Sequence, residues 1–372
     1  MKRCKKCILT DRAAPIGSDG LCMYCRTDDG VIPARGEKAL IEILERHRSG
    51  ARERGAIHDC IVPVSGGRDS MYALYALVRR YNMKPLAFNY SQGFVEPAAV
   101  ENLENGVRKL GVDLVRSANN KPQHRYLKHN LKALSKARPQ QRRLVELLCA
   151  GCDVGYVDAV EELARHRKIS LIVQGGCGFE PFLRGYLTGD VRPVANSPTL
   201  SLVAEEMKEY FGNIELFIDP RYPLNRRFLC HMKDFAGRLL PKRKRTSDIE
   251  RIHYFEFVPW QYREHVEELE RELGWRRPEG RSTTMRFDCR LHILVDRFRV
   301  LYQGFSEKEA IFSSLVRKNV MTREEALAAA EREIAEDELL IDPVIDEVIR
   351  TIDSERERAE ITRLFRPPRA AE

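Results

Sequence analysis

Residues 59–70 read Asp59-Cys60-Ile61-Val62-Pro63-Val64-Ser65-Gly66-Gly67-Arg68-Asp69-Ser70, an apolar run ending in a glycine-rich hexapeptide. The pattern MYALYALVRRYN follows at once over residues 71–82, so the order predicted is strand, tight loop, helix. At such a junction backbone N–H groups and the helix dipole converge on an anion. Gly66 and Gly67 permit a tight turn and a close approach of phosphate oxygens to the main chain. Ser65 and Ser70 can donate hydroxyl hydrogen bonds to pyrophosphate, and Arg68 can add positive charge. Asp69 is poorly suited to hold phosphate; orienting magnesium or capping the helix fits an acid there better. A glycine turn that merely caps a helix is the bland alternative. The spacing is neither that of a Walker loop nor the Gly-x-Gly-x-x-Gly of a dinucleotide fold.

Outward from this loop, strand and helix signals alternate. Residues 84–90 and 112–115 read as strands, 99–111 and 157–168 as helices, and 169–174 as a strand reaching Gly175-Gly176. This alternation predicts an α/β fold, a parallel, helix-flanked sheet over about residues 55–235. Gly175 and Gly176 would line a cleft at the carboxyl ends of the strands, or serve ordinary strand packing. Upstream, residues 34–54 read as a helix with Leu40, Ile41 and Leu44 on one face. Downstream, Pro241-Lys242-Arg243-Lys244-Arg245 breaks the composition as a solvated linker, a nucleic-acid patch or a nuclear-type address. The remainder is mostly helical, over 260–273, 289–302 and a terminal stretch 342–365 that Pro367-Pro368 ends. Ser306 and Thr322 are each followed three residues on by Glu, the capping-box pattern. Three units result: 1–33, 34–240 and 241–372.

At roughly 100–200 residues per domain, 372 residues make two or three domains with a full core. Charged residues, 32 % of the chain, carry both signs interleaved, which argues against wholesale disorder. No apolar run approaches the roughly 20 residues that span a bilayer, so no membrane insertion is expected. Met1-Lys2-Arg3-Cys4 leads into a cysteine pair with no apolar stretch, and the expected location is cytoplasmic. A net charge of +8 is too modest to decide between nucleic acid and phosphorylated ligands.

In a reducing compartment the ten cysteines are not expected to form disulfides, and six of them fall into Cys-x-x-Cys pairs. Cys4, Cys7, Cys22 and Cys25 have zinc-ribbon spacing. Four thiolates leave no open position on zinc, so that ion would be structural and would organise a segment too small to fold alone. Cys149 and Cys152 form a lone pair whose further ligand must come from elsewhere, Cys289, Cys230 and Cys177 being candidates. Three thiolates and an open position suit an iron–sulfur cluster that binds a sulfur donor. A second zinc, a persulfide pair and structural thiols compete with that reading.

The hexapeptide resembles the Ser-Gly-Gly-x-Asp-Ser signature of PP-loop ATP pyrophosphatases. Those enzymes use ATP and magnesium, break ATP between its α and β phosphates, and adenylate a substrate oxygen so that a nucleophile can displace AMP. The resemblance implies an adenine nucleotide alpha hydrolase-like domain, with Phe88, Asn89 and Tyr90 near the adenine. It makes Ser65, Arg68, Asp69 and Ser70 the reacting-site residues, with Gly66 and Gly67 also holding nucleotide.

The whole chain is similar to the N-acetyl sugar amidotransferase family. The segments that carry this are the cysteine ribbon, residues 59–70, Asn102-Leu103 before Leu110–Asp113, Cys149/Cys152 and His253–Trp260. Gly274-Trp275-Arg276, Phe287-Asp288-Cys289 and Met321–Ala326 complete it. That resemblance implies adenylation of a carbonyl oxygen on an N-acetyl sugar and displacement of AMP by ammonia. Cys60 lies in a predicted buried strand and no glutaminase signature is evident, so ammonia would come from a separate glutaminase subunit. Arg68 stands where many relatives carry Lys, and a planar fork is no equivalent of a point charge.

The alternative is sulfur insertion into tRNA or a small molecule, with Cys149 and Cys152 delivering sulfur. The basic runs 128–143 and 242–245 would then meet RNA phosphates, although neither has interleaved aromatics. A non-catalytic nucleotide-binding module is a third reading. Candidate general bases are His124, His129, His231, His253 and His292, none singled out.

Overall fold

The computed structural model describes residues 2–27, 35–90, 92–117, 121–136, 148–176 and 249–367. Cys177, Cys230, His231, the 242–245 basic cluster and residues 137–143 of the first basic run lie outside them.

Five strands make one sheet: β1 (Cys60–Pro63), β2 (Pro85–Tyr90), β3 (Leu114–Ser117), β4 (Leu171–Gln174) and β5 (Glu250–His253). Their order is β3-β2-β1-β4-β5, and every neighbouring pair is parallel. Cys60, Ile61 and Val62 are wholly buried, as a central strand covered on both faces requires. The order reverses between β1 and β4, and crevices for ligands open at such a switch point, beyond the carboxyl ends of the strands. This is a parallel, helix-flanked α/β arrangement, with a four-cysteine group at the N-terminus and a helical C-terminal region.

The sequence analysis identified no strand at β5. Glu250-Arg251-Ile252-His253 is short and charged, and only Ile252 is fully buried. Pairing with β4, from Leu171↔Glu250 to Gln174↔His253, makes it a strand. The sheet thus takes its fifth strand from beyond residue 241.

Helices α1 (Met23–Thr27) and α2 (Glu37–Glu53) precede β1, and α3 (Arg68–Arg79) follows it directly. Helix α4 (Pro97–Leu110) starts two residues earlier than its pattern predicts. Pro97, with φ pre-set, opens it, and Gly111 at φ 65° closes it. After α5 (Lys121–Lys136), α6 (Ala150–His166) begins well ahead of the expected residue 157, which brings Cys152 onto a helix.

The C-terminal helices are α7 (Glu264–Leu273), α8 (Leu291–Gln303), α9 (Glu307–Arg317), α10 (Arg323–Glu338), α11 (Ile341–Ile349) and α12 (Glu355–Leu364). Ser306 and Thr322 form complete capping boxes with Glu309 and Glu325. The single terminal helix expected over 342–365 is instead two, because Ser354 caps α12 and buried Ile352 marks the turn. One core joins the sheet, α3, α7 and the N-terminal cysteine segment; a second joins α5, α8, α11 and α12. Among the described residues no helix is long and apolar enough to cross a membrane.

Candidate functional site

An open cleft of about 350 Å³ lies beyond the carboxyl ends of β1, β2 and β4. It brings together the Ser65–Ser70 loop, Phe88–Tyr90 and Gly175-Gly176, which lie far apart in sequence. Within the loop the two serine hydroxyls are 3.2 Å apart, the Ser65 N–H donates to Ser70 Oγ at 3.2 Å, and the Gly67 N–H donates to Ser65 Oγ at 3.3 Å. Two hydroxyls and the amides of Ser65 and Gly67 therefore cluster in one small region at the start of α3, a group of donors suited to an anion.

Gly66 is required for packing. Its φ is 86°, and a Cβ there would collide with the Ala99 carbonyl of α4. Its own carbonyl accepts from Trp275 Nε1 at 3.0 Å and from Asn102 Nδ2 at 3.4 Å. Gly175 lies where a Cβ would fall on the backbone of Asp69 and Ser70, and Gly176 lies against the His253 ring. The glycines let the end of β4 meet the start of α3.

Arg68 and Asp69 differ from expectation. The Arg68 guanidinium is 2 % exposed. It forks onto Asp69 with Nε to Oδ1 at 2.8 Å and Nη2 to Oδ2 at 3.0 Å, and Nη1 donates to Thr284 Oγ1 at 3.2 Å. Its carbon also lies 4.5 Å from the centre of the Trp260 ring, whose Nε1 donates to Asp69 Oδ1 at 2.8 Å. A buried guanidinium needs a counter-charge, and the adjacent carboxylate supplies it. Arg68 therefore ties the loop to the C-terminal region and does not turn a free charge to phosphate. Both Asp69 oxygens are engaged in the same tie, so magnesium is a poor assignment for them.

Phe88 is 2 % exposed and packs in the core under α6. Asn89 donates from Nδ2 to the Val64 carbonyl at 2.7 Å, and Tyr90 stands half-buried beside Gly155. Of the three, Asn89 and Tyr90 reach the cleft most openly. Among the cleft residues not singled out from sequence are Gln92, Tyr156, Gln174 and Thr284. Gln174 donates to the Tyr156 hydroxyl at 2.9 Å. None carries a local signal, because its role arises from the fold. Asp288 also lines the cleft, although its segment was read for Cys289.

The Cys152 thiol lines the same cleft and donates to Gln92 Oε1 at 3.3 Å. Burial pushes the Cys289 thiol far up, and the neighbouring Cys149 and Cys152 add to that effect; of the three, Cys152 lines the cleft, while Cys289 lies in the second core with Cys149 packed against it. Their sulfurs do not close within 4.8 Å of one another, which is too open for a single ion. Cys60 is wholly buried and its thiol is pushed up by that burial, so it is no nucleophile for releasing ammonia.

The N-terminal group is different. Among the described residues, Cys4, Cys7, Cys22 and Cys25 alone bring four sulfurs within 4.8 Å, all of them buried. Cys7 and Cys22 are 3.7 Å apart. One tetrahedral ion with bonds near 2.3 Å holds its sulfurs about 3.8 Å apart, so the group fits one metal ion. Hydrogen bonds from Cys22 and Cys25 pull the Cys7 thiol far below its ordinary range. Of the candidate bases, His124 packs near Phe94 and His292 pairs with Glu307 at 3.4 Å. His253 sits at the cleft edge, where burial lowers its pKa and keeps the ring neutral. The His129 side chain lies outside the described residues.

No protein family profile matches the chain. Over 116 residues it is 30 % identical to an uncharacterized protein of Methanocaldococcus jannaschii, a stretch covering 30 % of this chain and 41 % of that protein. The chain thus spans about two fifths of the curated relative it matches. Among solved structures it is similar to the U34-tRNA thiolase NcsA from Methanococcus maripaludis with its 4Fe-4S cluster. The TM-score is 0.34, at 13 % identity over 92 % of this chain and 89 % of that one.

Proposed function

We propose that this chain is an ATP-dependent enzyme that adenylates a carbonyl oxygen and then replaces it with sulfur. One observation carries the choice of sulfur: the Cys152 thiol opens into the cleft that holds the Ser65–Ser70 loop, with Cys149 and Cys289 beside it. In this reading Ser65, Ser70 and the Gly67 amide hold pyrophosphate, and Asn89 and Tyr90 face the adenine. The loop donors act by stabilising negative charge that develops on the leaving pyrophosphate. The acceptor carbonyl belongs to a tRNA base or to a small molecule.

Cys149, Cys152 and Cys289 would hold an iron–sulfur cluster, since their spacing exceeds that of ligands to a single ion. A cluster with three thiolate ligands has one iron free to carry the sulfur to be transferred. Gln92, bonded to Cys152, orients that thiol. Cys4, Cys7, Cys22 and Cys25 would hold structural zinc, because four thiolates complete its tetrahedron.

Nitrogen transfer to an N-acetyl sugar is the second reading. What favours it is that Asn102, Trp260 and Trp275, which belong to segments resembling the amidotransferases, brace the loop itself. Ammonia would then come from a separate glutaminase subunit, and the three cysteines would be structural.

The test is metal and sulfide analysis after anaerobic purification, followed by the mass of the product formed with ATP. Zinc near one per chain with about four iron and matching sulfide, lost in Cys152→Ala, is the expected result. A heavier, sulfur-bearing product would accompany it. Zinc without iron, and full turnover by Cys152→Ala, would transfer the assignment to nitrogen.

A further inference from the structure

We propose that Asp288 is the carboxylate that holds magnesium against the pyrophosphate of ATP. The inference rests on the reading of the cleft as an ATP site and goes beyond it by naming the metal-holding residue.

Backbone geometry aims this side chain. Residues 288–290 lie beside 94–96, with an antiparallel bridge between Val95 and Cys289. The Glu96 N–H donates to the Asp288 carbonyl at 3.1 Å, and the Arg290 N–H donates to the Phe94 carbonyl at 2.8 Å. Phe287 is 1 % exposed against the Trp275 ring and Cys289 is 8 % exposed, while Asp288 between them lines the cleft.

Asp288 is also close to the loop. A Cβ built on Gly67 would lie 3.7 Å from the Asp288 carboxyl carbon. Among the described residues no side chain or amide bonds that carboxylate. Its neighbour Arg286 is paired with Glu307 at 3.1 Å. A carboxylate beside a phosphate-binding loop repels the phosphates unless a cation lies between them. Magnesium meets this need, since it binds through one or two carboxylates together with substrate phosphates. Asp69, the acid of the motif, is committed to Arg68 and Trp260.

The step this serves is balanced. The acceptor carbonyl oxygen forms a bond to the α-phosphorus, the bond from that phosphorus to the bridging oxygen breaks, and its electron pair leaves with pyrophosphate. Asp288 would hold the ion so that its positive charge lies where that negative charge accumulates.

The test uses the full chain, manganese as a paramagnetic probe and a non-hydrolysable ATP analogue. Electron paramagnetic resonance reads the manganese bound only when nucleotide is present. Asp288→Asn should weaken this binding by at least about tenfold. The same variant should bind the analogue as well as or better than the unaltered chain when metal is chelated, because a repelling charge is gone. Asp288→Glu should restore part of the manganese signal. Among the described residues the carboxylate has no hydrogen-bond partner, so the melting temperature of Asp288→Asn should not fall. Unchanged manganese affinity in Asp288→Asn, with the analogue still bound, overturns the assignment of Asp288. If the unaltered chain does not bind the analogue at all, the ATP reading beneath it fails as well.

Discussion

At the scale of single residues, a side chain's identity often matters through what it braces. Arg68 and Asp69 form a buried fork that Trp260 and Thr284 complete, so the second half of the loop motif anchors the loop. Ser65 is the contrasting case, with its hydroxyl among the loop donors. Ser65→Ala should lower pyrophosphate release while leaving the melting temperature unchanged, and a release assay on the variant checks this. Gly66→Ala should do the reverse and act on the fold. Its φ of 86° and the Ala99 carbonyl both oppose a methyl group. The positive φ and the collision together should cost at least about 2 kcal/mol in urea denaturation. A loss below that would mean α4 can move away.

At the scale of elements, the two capping boxes were the most legible features. Both capping boxes announced by Ser306 and Thr322 are present, because the pattern is local and the bonds close within one turn. They should not be equal in strength. Thr322→Ala removes a cap at the surface and should cost about 1 kcal/mol. Ser306 Oγ also donates to the buried Asp296 carboxylate at 2.6 Å, so Ser306→Ala should cost about 2 kcal/mol. Denaturant midpoints for the two variants measure the difference. Strand β5 and the break between α11 and α12 were not legible. Four polar-leaning residues become a strand only beside β4, and the break depends on Ser354 capping and Ile352 finding a core.

At the scale of the whole molecule, the cysteine segment is part of the main core. The Ile8 N–H donates to Ser313 Oγ at 3.3 Å, Arg323 Nε donates to the Cys7 carbonyl at 3.2 Å, and Arg317 lies 5.5 Å from the Tyr24 ring. Stripping metal from the four-cysteine group should therefore lower the melting temperature of the full chain, as calorimetry with and without a chelator would show. The buried charges around α9 and α10 set two opposed pH responses. Burial pushes Glu333 up to about 7 from an ordinary 4.5. The folded chain then holds a proton that the unfolded chain releases, so this contribution is full below about pH 4.5 and is lost as pH rises to about 7. Glu333→Gln should be more stable than the unaltered chain at pH 8, by up to about 3 kcal/mol, with no gain near pH 4. For Glu307 burial acts upward, but Arg286, Arg299 and His292 outweigh it and hold its pKa well below 4.5. Its contribution is present above pH 4.5 and is lost as pH falls through the lowered value. Denaturation of Glu333→Gln and Glu307→Gln across this range separates the two.

By itself the sequence determined the alternation of strands and helices, the glycine-rich loop between them and the four-thiol group. Each of these is written in short range: a run of apolar residues, two glycines between serines, two cysteine pairs at metal spacing. Only the tertiary structure decided what each residue of the site faces. It turned Arg68 and Asp69 toward each other and Trp260, brought Cys152 and Asp288 into one cleft with Ser65, and set Cys289 beside Cys149. Apart from the adjacent Arg68 and Asp69, these partners are separated by tens to hundreds of positions. The physical reason is that a buried charge takes whichever counter-charge the packed fold places nearest, and strand order, not chain order, decides which loops share a crevice.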